Sequence, residues 1–163
     1  MEYLIRVSKR LHILTSMHSE TSTSKVQNKP TPAAGKKIKD LVPYSEVHLK
    51  LLKVIGSDIA DDIPDEHEED AEFVISRNAE EVNGYKGKYT GWMRKGLLHG
   101  RGTFIDVDGD RSDGTWKDGM MNGTGRFMKC DGSRAWQGNY ANGKTSSPML
   151  EYRINGEVNT VRE

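Results

Sequence analysis

The chain has 163 residues, with 24 basic and 24 acidic side chains, and only 34% of it is hydrophobic. That is one domain's worth of chain, too polar for a single large core over its whole length, and no apolar run nears the ~18 residues that a membrane-spanning helix requires. The single cysteine, Cys130, excludes an internal disulfide and points to a reducing compartment. Zero net charge hides segregation. Residues 1–57 carry 10 basic and 4 acidic groups, 58–81 carry 1 and 11, and 82–163 carry 13 and 9.

Met1 to Leu14 sets Leu4, Val7, Leu11 and Leu14 on one helical face, with Arg6, Lys9 and Arg10 elsewhere. Three readings stand: a basic amphipathic anchor, a targeting sequence (against which Glu2 argues), or a short frayed helix. Residues 15–42 are rich in Ser, Thr, Lys and Pro and bury too little apolar area to offset ordering entropy. Residues 1–42 are therefore read as a disordered basic tail, with Lys36, Lys37 and Lys39 as a solvated cluster.

Residues 43–81 read as a helix plus an acidic linker. Ser45 is an N-cap for a helix over Glu46 to Ile55, and Gly56 stands just past its end. Val47, Leu51, Val54 and Ile55 form an apolar stripe, and so short a helix must dock to be stable. The open face or edge of a sheet, or a partner, is the expected surface. Asp58 to Glu72 is dense in carboxylates but lacks the spacing and the bend glycine of a calcium loop. Phe73, Val74 and Ile75 are a candidate first strand.

Residues 82–147 carry the dominant signal, a repeat. Tyr89-x-Gly91-x-Met93-x-x-Gly96-x-x-x-Gly100-x-Gly102 is followed by Ser112-x-Gly114-x-Trp116-x-x-Gly119-x-x-x-Gly123-x-Gly125. A third copy opens as Trp136-x-Gly138-x-Tyr140-x-x-Gly143 and then loses the pattern at Ser147. The spacing is 23 residues from Gly91 to Gly114 and 24 from Gly114 to Gly138, a period that marks a repeat architecture. Positions two apart share one face of a strand, so each copy opens on a face of bulky side chains flanking a glycine. That glycine implies close approach of a neighbour, expected to be a ring. Trp92, one place out of register, is expected on the other side. Each copy turns after Gly96 or Gly119 and returns through Phe104 or Phe127. Asp108-Gly109 and Asp131-Gly132 offer tight turns between copies. Tyr85-x-Gly87-x-Tyr89 reads as a lead-in strand. Residues 148–163 are a C-terminal strand or tail.

These residues resemble the MORN repeat (membrane occupation and recognition nexus), whose pattern is Tyr-x-Gly-x-aromatic-x-x-Gly followed by Gly-x-Gly. The resemblance covers little more than a third of the chain, with Ser112 and Met93 as departures. It implies a mainly β fold: a single-layer antiparallel meander of stacked hairpins, here with short N-terminal helical elements and a disordered tail.

No catalytic constellation emerges. A nucleophile elbow, a phosphate loop, zinc spacing and HExxH are all missing from the sequence. Asp106, Asp108 and Asp110 alternate as a calcium loop begins, but Arg111 and Lys117 occupy its glycine and glutamate places. These acids read as solvated turn chemistry, and Asp110→Ala as near-neutral. His99 belongs to the return-strand entry. The expectations are no enzyme activity, cofactor, metal or nucleic-acid ligand.

The resemblance implies a scaffold or adaptor that docks an extended peptide or helix, in a cytoskeletal, ciliary or membrane-junction assembly of the cytoplasm. Tyr89, Trp116, Trp136 and Tyr140 are the candidate partner-binding rings, with Trp116 expected to be structural as well. The alternatives are a peripheral module on anionic phospholipid, permitted by the +4 of the repeat block, and an accessory module of an enzyme. Partner identity and oligomeric state stay open at this level.

Overall fold

The computed structural model describes residues 37–56, 69–79, 86–146 and 148–161. Among the described residues two helices, α1 (Ile38–Leu41) and α2 (Glu46–Ile55), precede nine strands. These are β1 (Glu72–Asn78), β2 (Gly87–Arg94), β3 (Leu97–Asp106), β4 (Arg111–Lys117), β5 (Met120–Met128), β6 (Arg134–Ala141), β7 (Lys144–Thr145), β8 (Met149–Arg153) and β9 (Val158–Val161). They form one antiparallel sheet in the order β1-β2-β3-β4-β5-β6-β8-β9, with β7 also beside β6. Each repeat copy is a hairpin, as its spacing predicts.

Turn chemistry sets the hairpins. Lys95-Gly96, Asp118-Gly119 and Asn142-Gly143 each have positive φ at both residues, 51° and 77°, 49° and 85°, and 51° and 77°. Two consecutive positive φ values are the signature of the two-residue hairpin turn that matches strand twist. The Asp-Gly pairs differ from expectation. Only the glycine of each has positive φ, and they lie in wider loops between copies. In the first of these loops Asp106 Oδ1 accepts from the backbone N–H groups of Asp108 (3.0 Å) and Asp110 (2.9 Å). The carboxylate that opens the calcium-like run is thus spent on its own loop.

The third copy does have a return path, in two pieces. β7 pairs with β6 next to the turn, and β8 pairs with β6 after the interruption at Ser146 and Pro148. Met149 stands where the other copies have glycine, and its sulfur covers Gly138.

Alternation gives the sheet two unlike faces. One carries the glycines and the rings Tyr89, Phe104 and Trp116, with Met93 and Leu98, clustered with Ala79. The other carries Phe73 and Trp92 at one end and Met128, Ala135 and Tyr152 at the other. Trp92 stands opposite the ring face, as its register requires, its ring 5.3 Å from Phe73 and edge-on.

Helices cover this second face. Ser45 caps α2 by accepting from the His48 N–H (3.3 Å). Gly56 ends it at φ 76°, its N–H donating to the Leu52 carbonyl. Leu51, fully buried, packs on Met128, Ala135 and Tyr152, with Ile55 beside it. His48 Nε2 lies 2.9 Å from the Lys129 carbonyl oxygen. Residues 38–41, which composition assigns to the disordered tail, form a helix, and Ile38 is buried against Ala71, Phe73 and Trp92. One apolar anchor in a four-residue helix does not register in an averaged composition. The amphipathic pattern of Met1–Leu14, the acidic residues 58–68 and Tyr85 lie outside the described residues.

Candidate partner-binding site

The ring face is closed at one end and open at the other. In the first copy, Tyr89 lies across Gly102, where a Cβ would overlap its ring, and its hydroxyl is 2.7 Å from a Cβ built on Gly91. The Tyr89 hydroxyl donates to the carbonyls of Trp92 (3.0 Å) and His99 (3.4 Å), and burial pushes its phenol pKa well up. Trp116 packs edge-on against Tyr89 (5.9 Å) and Phe104 (6.3 Å), and its Nε1 donates to the Gly102 carbonyl (3.2 Å). Glycine here leaves room for a ring against bare backbone.

Tyr89 is 1% exposed and Trp116 6%. Tyr89 therefore corrects the sequence reading that grouped it with the partner-facing rings. It shares a strand offset with Trp136, but neighbouring strands on both sides and Ala79 enclose it.

Trp136 and Tyr140 are half-buried, as is Phe127. Trp136 and Phe127 are tilted together at 5.7 Å, and the Tyr140 ring lies 3.0 Å from a Cβ built on Gly125. Partial burial raises the Tyr140 pKa. These rings form the accessible end of the face. Ser112, at the head of the second copy, pairs with Phe104 on one side and Phe127 on the other.

The glycines divide by role. Gly96, Gly119 and Gly143 make the turns, and Gly100 and Gly123 take positive φ at the start of the return strands. Gly91, Gly102, Gly114, Gly125 and Gly138 sit under neighbouring groups. At Gly114 the neighbour is Met121 and backbone rather than a ring, because Ser112 supplies none.

The face under the helices holds residues that sequence reasoning missed. Arg111 Nε donates to both oxygens of Asp113 (2.9 and 3.0 Å), and Thr103 Oγ1 donates to Oδ1 (2.7 Å). Arg126 Nη2 lies 3.6 Å from Asp113 Oδ2 and donates to the Tyr44 hydroxyl (2.8 Å), which donates to Oδ2 (3.2 Å). Arg111 stacks over the Tyr44 ring at 3.8 Å and donates to the Val42 carbonyl (2.8 Å). Burial alone would raise the Asp113 pKa, but Arg111, Arg126 and Thr103 together hold it below the usual carboxylate value. The available signal was alternation: Arg111 and Asp113 occupy the strand face opposite Ser112 and Gly114. This cluster clamps residues 42–44 to the sheet.

Asp110 also departs from expectation. It is buried, accepts from the Cys130 N–H (2.8 Å) and pairs with Lys129. Burial works against its charge, but these partners outweigh it and lower its pKa. Asp110→Ala is therefore expected to cost about 1–3 kcal/mol, because the Cys130 donor loses its acceptor. Gly114→Val is expected to cost more. A Cβ there would meet the Thr124 carbonyl oxygen at 2.8 Å and Gly125 Cα at 2.9 Å, both backbone. Urea midpoints of the two variants check the order, and an Asp110→Ala midpoint equal to wild type would contradict the burial of that loop.

Among the described residues, no cluster of three or more His, Cys, Asp or Glu is placed to hold a metal ion, and no helix is long and apolar enough to cross a membrane. The MORN repeat family model matches residues 89–111 and 113–134. No curated protein matches the chain.

Proposed function

This chain carries MORN repeats, and from that premise we propose that it is a non-catalytic adaptor whose ring face docks an extended peptide or a helix of a partner protein. One observation carries the reading. The ring row is buried at Tyr89, Phe104 and Trp116 yet continues, half-buried, through Phe127, Trp136 and Tyr140. Half-exposed aromatics on a rigid strand scaffold offer contact area at low entropic cost and are the usual anchors of an interface. A cytoplasmic setting in a cytoskeletal, ciliary or membrane-junction assembly is part of this proposal and follows from the family resemblance.

The test begins with affinity purification from native cells and mapping of the captured partner to a binding segment. Trp136→Ala and Tyr140→Ala should each weaken that segment by at least about tenfold, or roughly 1.4 kcal/mol, with the fold intact by thermal unfolding. Unchanged affinity in both variants would refute the ring-face assignment. Flotation of wild-type protein on phosphatidylserine vesicles, with no segment bound by the isolated protein, would favour the membrane alternative instead.

A further inference from the structure

The second copy breaks the repeat at one position, and the break leaves a cavity. Its head residue is Ser112, where the first copy has Tyr89 and the third Trp136. Phe104 and Phe127 are directly opposite Ser112 on the two flanking strands. The resulting hollow, of about 300 Å³, is lined by Ser112, both phenylalanines, Leu98, Trp116, Met121 and Lys86. A volume of this size stands at the small end of ligand sites, which run from roughly 300 to 1,000 Å³. It suits one side chain, not a cofactor.

We propose that this hollow is a specificity pocket for a single aromatic side chain flanked by a carboxylate, supplied by the docked partner. The neighbouring copies display the chemistry that fits. Where a ring is present at the head position, as with Tyr89, it packs edge-on to the next aromatic, Trp116. An incoming ring at Ser112 meets Phe104, Phe127 and Trp116 with the same preference for edge-to-face contact.

Charge complementarity selects the flanking group. Two charged residues line the hollow, Lys86 and Asp106. Asp106 keeps its charge but is fixed through Oδ1 to two N–H groups of its own loop, whereas Lys86 is exposed and its flexible stem carries the ammonium to the rim. An acidic group beside the ring therefore meets a cation at the rim, on a repeat block (residues 82–147) with 11 basic and 6 acidic residues.

The inference rests on the peptide-docking reading only for the source of the ring, so its test uses small probes on the full chain. The probes are 3-phenylpropionate and its neutral amide, followed through the Met121 ε-methyl NMR signal. Wild type should show saturable shifts with both, with the carboxylate tighter by about 2- to 5-fold, the scale of an exposed ion pair. Lys86→Glu should abolish or reverse that preference. Ser112→Tyr, which restores the repeat's own ring, should abolish binding of both probes while remaining folded. Should Ser112→Tyr fail to fold, Ser112→Val narrows the hollow with a strand-favouring residue and should weaken both probes.

Absence of saturable shifts in wild type at millimolar probe would overturn the pocket, as would a folded Ser112 variant that binds like wild type. Equal affinity for acid and amide would overturn the role of Lys86. Probe binding without any partner dependent on Trp136 would leave the pocket standing and defeat the adaptor reading. A captured partner with no probe binding would do the reverse.

Discussion

Asp113→Ala is expected to lower the unfolding free energy by about 3–5 kcal/mol, the range for breaking a buried ion pair from one side. Arg111, Asp113 and Arg126 are each at most 1% exposed, so the alanine variant leaves two buried guanidinium groups with their shared carboxylate gone. It also strands donors on Thr103 and Tyr44. Tyr44→Phe removes only the hydroxyl's two bonds and keeps the ring under Arg111, so a smaller loss of about 1–3 kcal/mol is expected. The same carboxylate gives the fold an acid limit. The Asp113 pKa is lower folded than unfolded, so its contribution is fully present above the unfolded value of about 3.9. It is lost as pH falls through the depressed folded value. Asp110, lowered by Lys129 and Cys130 against burial, adds in the same sense. Urea unfolding of wild type and Asp113→Ala at neutral pH and near pH 3 is the measurement. The two proteins should converge as pH falls, and a difference under about 1 kcal/mol at neutral pH would contradict the buried cluster.

What the sequence displayed and what it concealed follow from the range of the interactions involved. The hairpins were legible because their determinants are local: paired positive φ at Lys95-Gly96 and Asp118-Gly119, and glycine at alternate strand positions. The helix over Glu46 to Ile55 was legible for the same reason, its cap and stop lying within one turn of its ends. Arg111, Asp113 and Arg126 drew no structural reading from the sequence, because charged side chains at alternate strand positions ordinarily face solvent; they are buried here where residues 42–44 cross over them. That contact spans about 70 positions of chain, as with Tyr44 to Asp113. No repeat period encodes it. Tyr89 was misassigned by the converse route. Its local offset matches Trp136, but Trp116 and Ala79 enclose Tyr89 on the ring face, whereas Trp136 meets Phe127 on one side and Glu151 on the other. Ser112 was visible as a departure from pattern, whereas the hollow it opens depended on which rings faced it across both strands.

Trp116→Ala is expected to destabilise the sheet by about 3–5 kcal/mol, as buried aromatic truncations do. Trp116 belongs to the buried half of the ring row and stands between Tyr89 and Phe104, both within ring-contact distance. Its indole N–H also satisfies the Gly102 carbonyl inside the sheet, where an unmet acceptor adds to the cavity cost. The neighbouring hairpins cannot collapse into the space, because Gly102 and Gly114 place backbone, not side chain, at its borders. Trp136 has the same parity on β6 but a different surrounding. It is half-exposed, it touches Phe127 at a tilt, and its cross-strand partner on β8 is Glu151 rather than a ring. Trp136→Ala is accordingly expected to cost near the ~1 kcal/mol of an average substitution and to act on binding. The two indoles thus differ in what their truncation costs, Trp116 holding the fold and Trp136 chiefly serving the docking surface. Urea unfolding of both variants reads the difference directly. A larger loss for Trp136→Ala than for Trp116→Ala would invert the assignment of inner and terminal copies, and with it the placement of the docking surface.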